Sequence, residues 1–334
     1  MSNAATTRAE PSAAAPGTGL VIAVVIPCFR EKDHVLDVLA GIGAEVRHIL
    51  VIDDACPVGT GRHVQAECRD PRVEVVFHET NKGVGGATLT GYARAIAKGA
   101  DIVVKLDGDG QMDPALIPSL VHPIVAGEAD YAKGNRFDDL SGLKSMPMVR
   151  LVGNLFLSFA SKMSSGYWSV FDPTNGFTAI HAKVVRLLPS DRISAGYFFE
   201  SDMLFHLNLL RAVVADVPMR ARYGNEQSDL SVSRALWEFA AKHLCNTVKR
   251  IGYTYFLRDF GIASIELVLG KLLFLFGVAF GVVKWIESDR TGVPQGAGTV
   301  MLAALPVIIG TQLLLQFLNF DIRNVPRQPL HPRL

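Results

Sequence analysis

The chain has 334 residues, enough for two domains or for one large domain with an appended segment. Its 33 Lys and Arg residues nearly balance 32 Asp and Glu residues, and the net charge of +1 gives no general attraction for nucleic acid. Hydrophobic residues make up 49% of the chain and charged residues 19%, so membrane segments must be considered. The four cysteines form no CxxC pair, which argues against structural zinc and a disulfide framework.

Residues 1–19 contain almost no large apolar side chain and are predicted to form a disordered arm. From there to about residue 230, apolar β-branched segments alternate with helical patterns, which predicts an α/β fold with a mainly parallel sheet. The strand candidates are Val21–Ile26, His48–Ile52, Val73–Phe77, Ile102–Leu106 and Val213–Val217. The helical patterns lie near residues 31–44, 84–98 and 115–127.

Residues 231–260 predict a juxtamembrane amphipathic helical region. Its apolar face is predicted to contain Leu236, Phe239, Ala240, Leu244, Val248, Ile251 and Tyr255. Its polar, mainly basic face is predicted to contain Arg234, Glu238, Lys242, Asn246, Lys249 and Arg250. An ordinary helix packed on the core would give the same periodicity, so the assignment to a membrane surface depends on the segments that follow.

Residues 261–322 contain two apolar stretches, about 262–286 and 300–320, and each is long enough to span a bilayer as a transmembrane helix. The alternative is a pair of buried core helices. The basic residues that flank the pair are Lys249, Arg250 and Arg258 before it and Arg323, Arg327 and Arg333 after it. The positive-inside rule therefore predicts a multi-pass hairpin, with the catalytic domain and a tail at residues 323–334 both in the cytoplasm.

The clearest chemical motif follows the fourth strand candidate. Asp107 and Asp109 lie one residue apart at its predicted carboxyl end, where oxygen ligands can hold a hard divalent cation and leave positions for diphosphate oxygens. Gln111 would add a neutral oxygen ligand on the same side of an extended segment. This pattern alone is common in loops, so its assignment depends on the rest of the chain.

Two other predicted strands also end on polar residues. These are Phe29, Arg30 and Glu31 after the first strand, and Asp53 and Asp54 after the second. Buried strands seldom end on two carboxylates unless a ligand uses them, although solvated turn residues are the alternative. Because the carboxyl ends of parallel strands meet at one sheet edge, these residues are expected to converge on a ligand. Residues 81–86 open a helix with glycines that could approach an anion, but their spacing fits no standard nucleotide motif.

Taken together and in this order, these segments resemble the family 2 glycosyltransferases with the GT-A fold. The resemblance is to the dolichol-phosphate mannose synthase-like branch, which transfers sugars to polyprenyl phosphates. The matching segments are residues 25–31, 51–54, 81–87, 107–111, 133–137, 172–177 and 196–202. The resemblance covers residues 20–230, and the hairpin resembles that of membrane-anchored members. Arg30, Ala55, Cys56 and Gly110 depart from the usual residues, but no carboxylate is lost.

The resemblance implies a Rossmann-like catalytic domain that transfers one hexose, with inversion, from GDP-mannose or a UDP-sugar to undecaprenyl or dolichyl phosphate. The implied ligands for Mg²⁺ or Mn²⁺ are Asp107, Asp109 and Gln111. The implied nucleotide-sugar contacts are Pro27, Phe29, Glu31, Asp53, Asp54, Lys82, Gly83, Asp107 and Gly108. The implied contacts of the acceptor phosphate are Arg136, Arg220 and Arg222, and the implied catalytic group is Asp109, Asp202, Glu200, Arg136 and Arg222.

The roles of Glu200 and Asp202 depend on the acceptor. A polyprenyl phosphate is largely ionised at neutral pH and needs little or no general base, which favours a supporting role for both carboxylates. A hydroxyl acceptor on a saccharide or lipid-linked sugar would instead need one of them as a base. A catalytically inactive membrane scaffold is a third possibility, against which the retained Asp107 and Asp109 argue. The hairpin could also serve as a surface for homo-oligomers, and residues 223–228 could form a mobile loop over the donor.

Overall fold

The computed structural model of the chain describes residues 19–136, 148–219 and 232–334. The strands in these ranges are β1 (Ile22–Cys28), β2 (Val46–Asp53), β3 (Val73–Phe77), β4 (Ile102–Lys105), β5 (Tyr131–Asn135), β6 (Thr178–His181) and β7 (Val214–Pro218). The helices are α1 (Val35–Ala40), α2 (Thr60–Glu67), α3 (Gly83–Ala97), α4 (Ile117–Val125), α5 (Met148–Ser165), α6 (Ala182–Val185), α7 (Phe199–Leu210), α8 (Val232–Gly252), α9 (Ile262–Thr291) and α10 (Ala297–Arg323). This alternation confirms the predicted α/β class.

The strands form one sheet in the order β3-β2-β1-β4-β6-β5-β7. Strand β6 is antiparallel to both neighbours, whereas the remaining pairs are parallel, as the sequence predicts. Strands β5 and β6 are missing from the prediction. The reason is that β5 carries Lys133, Gly134 and Asn135 in place of an apolar run, and β6 has only four residues. Helices α2, α5, α6 and α7 are also missing from it.

The order of the strands places β2, β1 and β4 side by side with their carboxyl ends at one edge of the sheet. Cys28 at the end of β1 pairs with Asp53 at the end of β2, and Lys105 at the end of β4 pairs with Val25. The three strands are held in the core by side chains such as Ile26 and Val104, which are completely buried. The edge that carries the polar residues is therefore fixed by the most buried part of the sheet.

The described residues form two compact units. The first contains the described residues up to Asn246 together with Pro326–Leu334, and the second is Thr247–Val325. The chain therefore leaves the sheet-containing unit before the two apolar helices and re-enters it after them. Much of the segment predicted to be a tail is part of the first unit.

A buried carboxylate fastens this C-terminal segment. Asp130, just before β5, is fully buried, and its Oδ1 accepts hydrogen bonds from the backbone N–H groups of Leu330 and His331 at 2.8 and 2.9 Å. Its Oδ2 accepts the N–H of Val213 at 2.9 Å. The ring of His331 stacks on that of His181, with centroids 4.3 Å apart. Removing the segment would leave Asp130 buried without most of its donors, which is costly.

The second unit is built around α9 and α10, which are longer than the predicted stretches. Both are long and apolar enough to cross a membrane, and only 17% and 11% of their most apolar windows are buried. A core helix of a soluble protein would be mostly buried. A Cβ on Gly277 would lie 2.7 Å from the carbonyl oxygen of Ala303, and one on Gly310 would lie 2.6 Å from the backbone nitrogen of Phe274. The glycines thus permit the close helix contact typical of membrane proteins.

An ion pair within the second unit ties the end of α8 to α10. Arg250 Nη1 and Nη2 lie 2.7 and 2.9 Å from the two oxygens of Asp321, and the Tyr255 hydroxyl donates to Oδ1 at 2.6 Å. Arg250 and Asp321 are each only 2 to 3% exposed. Arg250, counted among the basic residues before the first apolar stretch, is therefore paired with Asp321 within this unit.

The two faces of α8 also differ from the prediction. Leu244 and Val248, assigned to an apolar face, are 66% and 64% exposed, whereas Asn246 and Arg250, assigned to the polar face, are buried. The polar residues can be buried because each has a partner, Asp202 for Asn246 and Asp321 for Arg250. Trp237 is also exposed. The helix thus directs apolar side chains outward, as expected of a helix at a membrane surface.

The stacked histidines make the stability of the first unit dependent on pH. Burial lowers the pKa of His181 to about 4, and His331 and Lys183 act in the same direction against the weaker attraction of Asp101 and Asp130. The unfolded chain takes up this proton near pH 6.5, but the folded chain does not do so until about pH 4. The contribution to stability is therefore complete above pH 6.5 and is lost as the pH falls through that window.

Replacing His181 by Asn should reduce this loss, because Asn retains an acceptor for the N–H of Lys183 but does not titrate. The fall in unfolding free energy between about pH 7 and pH 4.5 should be smaller by on the order of 2 kcal/mol in the variant. Urea unfolding in detergent, followed by fluorescence, measures it. The matched control is His122→Asn at an exposed position. Identical pH profiles for wild type and His181→Asn would contradict the assignment.

Candidate active site

A cavity of about 540 Å³ lies at the carboxyl edge of β1 and β4. Its lining includes Pro27, Phe29, Glu31, Asp54, Gly83, Lys105, Asp107, Asp109, Gly176, Tyr197 and Glu200. A second cavity of about 570 Å³ is lined by residues that include Asp53, Cys56, Arg62, Phe77 and His78. Residues far apart in the sequence thus meet at the predicted edge. A larger cleft of about 860 Å³, along the start of β2 and β3, contains none of the predicted site residues.

A buried lysine organises one wall of the first cavity. Lys105 is 1% exposed, and its Nζ lies 2.6 Å from Oδ1 of Asp107 and 3.1 Å from Oε1 of Glu200. Burial alone would lower its pKa, but attraction to these two carboxylates outweighs burial and raises the pKa above the usual value for lysine. Lys105 is not among the site residues predicted from the sequence. A lysine at the end of an otherwise apolar strand was the signal that could have identified it.

Glu31 faces the same acidic region from the end of β1. Its pKa is raised well above the usual value, first by burial and then by repulsion from Asp107 and Asp109, although Cys28 as a donor opposes this. Its buried Oε2 has no hydrogen-bond partner among the residues that the structure describes. A Cβ on Gly108 would lie 2.3 Å from this oxygen, so only glycine fits there without displacing the glutamate. The acidic region therefore has an unmet demand for a donor or a positive charge.

Asp107 and Asp109 are the residues best placed to hold a divalent cation. Asp109 Oδ1 accepts the backbone N–H of Gln111 at 2.9 Å, and the Gln111 side chain does not line the described cavity. Within the described ranges, no three His, Cys, Asp or Glu side chains form a ready-made metal site. Mg²⁺ commonly uses one or two carboxylates and takes its other ligands from substrate phosphates and water. Asp107 and Asp109 supply the two carboxylates that a cation of that kind needs.

The acidic pair at the end of β2 organises the loops around the site. Asp53 accepts the N–H of Cys56 at 2.8 Å and that of Gly61 at 2.6 Å. Asp54 Oδ1 accepts the N–H of Lys82 and lies 2.7 Å from Nδ1 of His78. Both carboxylates are 3% exposed. Asp53 and Asp54 therefore have a structural role, since each oxygen already has a partner within the protein, and their predicted contact with a nucleotide stays a prediction.

The glycine-rich start of α3 packs against the segment before α7. Gly83 adopts a positive φ of 80°, and a Cβ there would lie 2.5 Å from the carbonyl oxygen of Ala195. The N–H of Gly85 donates to the same oxygen at 2.8 Å. The N–H of Gly83 donates to Asp54 at 2.8 Å. These glycines therefore serve a close backbone approach, and the N–H groups of Gly83 and Gly85 are already used by protein oxygens.

Arg136, which is not among the lining residues of either cavity, is held by a buried partner. Its Nε and Nη2 donate to the two oxygens of Asp172 at 2.7 and 3.1 Å, while 29% of the arginine side chain remains exposed. Asp172 is completely buried. A guanidinium fixed in this way can present part of its charge to an anion without losing its orientation. The other two predicted phosphate contacts, Arg220 and Arg222, lie outside the described residues, as does the loop predicted at residues 223–228.

The carboxylates of α7 are both engaged. Asp202 Oδ2 accepts the N–H of Ser194 and Oδ1 accepts the side-chain amide of Asn246 on α8, each at 2.7 Å. Glu200, two residues earlier, pairs with Lys105. Both are less than one-tenth exposed. Glu200 lines the first cavity, whereas Asp202 connects the first turn of α7 to α8.

Comparison with known proteins identifies the family to which this geometry belongs. The family model for "Glycosyl transferase family 2" matches residues 23–188. The chain carries a glycosyl transferase family 2 domain. It is similar to the UDP-N-acetylglucosamine–dolichyl-phosphate N-acetylglucosaminyltransferase of Methanococcus voltae, with 29% identity over 217 residues, 61% of this chain and 86% of the relative. It is also 29% identical to the undecaprenyl-phosphate mannosyltransferase of Micrococcus luteus over 202 residues, covering 59% and 82% of the two chains.

A solved glycosyl-transfer enzyme structure shares the fold. Glucosyl-3-phosphoglycerate synthase of Mycobacterium tuberculosis, in complex with Mn²⁺, UDP and its glucosylated product, matches with a TM-score of 0.53 and 22% identity. The match covers 70% of this chain and 81% of that one. The family 2 domain therefore has the predicted GT-A-like fold, and the named relatives agree with the predicted polyprenyl-phosphate branch.

Replacement of Asp109 by Asn should nearly abolish sugar transfer and weaken donor binding, because it removes one charged ligand from a cation that must offset a diphosphate. We expect a loss of at least about 100-fold in rate with little change in thermal stability. A radiolabelled transfer assay with and without EDTA measures the first effect. Asp37→Asn, an exposed acidic position on α1, is the matched control. Full activity of Asp109→Asn, or of wild type in EDTA, would contradict the assignment.

Proposed function

We propose that this protein is a membrane-anchored, inverting glycosyltransferase that transfers one hexose from a nucleotide-sugar to a polyprenyl phosphate at the cytoplasmic face. The donor is GDP-mannose or a UDP-sugar, and the acceptor is undecaprenyl or dolichyl phosphate. The family 2 domain and the M. voltae and M. luteus relatives support the reaction class. The apolar helices α9 and α10 support an anchor in the membrane that holds the acceptor.

The engagement of Glu200 and Asp202 is the observation that favours a phosphate acceptor. A hydroxyl acceptor would need a carboxylate that is able to take its proton. Glu200 is paired with the Lys105 ammonium, and both oxygens of Asp202 accept hydrogen bonds from protein groups. A lipid phosphate monoester is largely ionised near pH 7 and attacks without losing a proton to the enzyme. The acceptor's charge then requires cationic partners, and Arg136, held by Asp172, is one of them.

The two cavities suit the two parts of a nucleotide-sugar donor, the nucleoside and the diphosphate with its sugar. The cavity lined by Asp53, Phe77 and His78 has the size and polarity for a nucleoside, and the cavity with Asp107 and Asp109 lies beside it for the diphosphate and sugar. A bound Mg²⁺ or Mn²⁺ would supply Lewis-acid stabilisation of the charge on the departing nucleoside diphosphate. Asp107 and Asp109 would hold it, and Glu31 would face it from β1.

The alternative function is a family 2 transferase that acts on a hydroxyl of a saccharide or lipid-linked sugar. In that reaction Glu200 or Asp202 would be the general base and would have to leave its present partners. Incubation of the purified enzyme with labelled donors and either undecaprenyl phosphate or dolichyl phosphate tests the proposal. Formation of a labelled lipid with neither acceptor, for any of the three donors GDP-mannose, UDP-glucose and UDP-N-acetylglucosamine, would contradict it.

Two variants separate the acceptor classes. If a lipid phosphate attacks, Arg222→Ala should raise the acceptor KM by about 10- to 100-fold, because a charge-assisted contact contributes about 1.5 to 3 kcal/mol. Asp202→Asn should lower the rate without eliminating it. If a hydroxyl attacks, loss of the base should cost on the order of 100- to 10,000-fold instead. The assay is run at saturating donor across pH 6 to 9, with the exposed Arg69→Ala as the control.

The return of residues 326–334 to the first unit supports the proposed topology, since both ends of the hairpin then lie on the same side of the bilayer. Tags at residue 1 and residue 334 should both report the cytoplasm. A cysteine at Asp289, in the segment between the membrane-spanning parts of the two helices, should react with an impermeant thiol reagent added from outside. Opposite locations for the two tags would eliminate the hairpin.

A further inference from the structure

We propose that Lys105 is a positioning residue that couples the cation-binding carboxylate Asp107 to Glu200, which lines the same cavity from α7. When a divalent cation occupies Asp107, the Lys105 ammonium is released from Asp107 and pairs fully with Glu200. The inference rests on the proposed function, because it takes Asp107 to be a ligand of the cation that accompanies the donor.

The distances show that one ammonium serves two carboxylates. Nζ of Lys105 lies 2.6 Å from Asp107 Oδ1, 3.1 Å from Glu200 Oε1 and 3.4 Å from the carbonyl oxygen of Gly176. An ammonium has three protons, and these three oxygens account for all of them. The side chain of Lys105 is 1% exposed, so water does not compensate for a lost contact. Any change at Asp107 is therefore transmitted to Glu200.

The surrounding backbone keeps this group in place. A Cβ on Gly176 would lie 2.2 Å from Asp107 Oδ2 and 2.6 Å from Lys105 Nζ. Glycine at this position, two residues before β6, therefore allows the backbone to pack directly against the side chains of Lys105 and Asp107. Lys133, the next buried lysine, is held elsewhere, because its Nζ donates to the carbonyl oxygen of Asn175. Lys105 is thus the single ammonium that contacts both carboxylates in the described part of the site.

The charges of the cavity explain why such a coupling would be useful. Five carboxylates line it together with one lysine, so without a cation Lys105 offsets a crowded acidic group. The five carboxylates are Glu31, Asp54, Asp107, Asp109 and Glu200. A divalent cation at Asp107 and Asp109 adds two positive charges and repels the adjacent ammonium. Movement of Lys105 toward Glu200 relieves this repulsion. Glu200 then pairs fully with Lys105 only when a cation occupies Asp107.

A double-mutant cycle on cation affinity tests the coupling without requiring turnover. The full-length protein in detergent is titrated with Mn²⁺, and electron paramagnetic resonance of the free ion gives the dissociation constant. In Glu200→Gln, Lys105 has only Asp107 as a charged partner and competes better with the cation, so the constant should rise by about tenfold. In the Lys105→Met background, the same Glu200→Gln change should raise it by less than about threefold.

Equal fold-changes in the two backgrounds would overturn the inference. Glu200 would then change the Mn²⁺ dissociation constant by its own charge, without the participation of Lys105. Lys105→Arg, which keeps the charge, should retain most of the Glu200→Gln effect. If Lys105→Met does not fold, the cycle is run with Lys105→Gln, which is also uncharged. Glu128→Gln, an exposed position after α4, is the matched control. A coupled cycle in an enzyme that transfers sugar to no lipid phosphate would overturn only the proposed function, whereas an additive cycle in an active transferase would overturn only this inference.

Discussion

The balance between one buried ammonium and the carboxylates at the end of β4 is the constraint on which the site depends. Lys105 cannot be solvated at 1% exposure, so it must keep anionic partners, and Asp107 and Glu200 are those partners. Breaking a buried pair by removing one member typically costs about 3 to 5 kcal/mol. The sheet order places β4 beside β1, which brings Glu31 to the same cavity. The fold therefore gathers carboxylates in one cavity. A divalent cation bound there with a donor diphosphate would offset their negative charge.

Much of this arrangement follows from sequence patterns with a clear physical basis. Apolar strands that end on Asp53 and on Asp107 predict ligand contacts at one sheet edge, because parallel strands share the direction of their carboxyl ends. The structure brings these residues to that edge. The ordered set of motifs also predicts the family correctly. Local patterns were sufficient here because each motif directly follows a strand whose burial is evident from its composition.

Other features depend on tertiary contacts that no local pattern contains. Lys105 and Lys133 are charged residues within buried strands. Their burial is possible because their ammonium groups contact oxygens of Glu200 and Asn175, which are distant in the sequence. Periodicity likewise misassigned Asn246 and Arg250 to an exposed face of α8. Their partners, Asp202 and Asp321, are 44 and 71 residues away in the chain. Sequence periodicity separates polar from apolar faces, but it does not reveal which polar face has a buried partner.

If the nucleophile is a phosphate oxygen of a polyprenyl lipid, the product is a phosphodiester, so the linkage in the product distinguishes transfer to phosphate from transfer to a hydroxyl. ³¹P nuclear magnetic resonance of the purified lipid product distinguishes a phosphodiester from a phosphate monoester. With a phosphate nucleophile, the monoester signal of the acceptor should be replaced by a single sugar phosphodiester signal, in a 1:1 ratio with released nucleoside diphosphate. A product that carries the new sugar on a hydroxyl while its phosphorus signal remains unchanged would contradict a phosphate nucleophile.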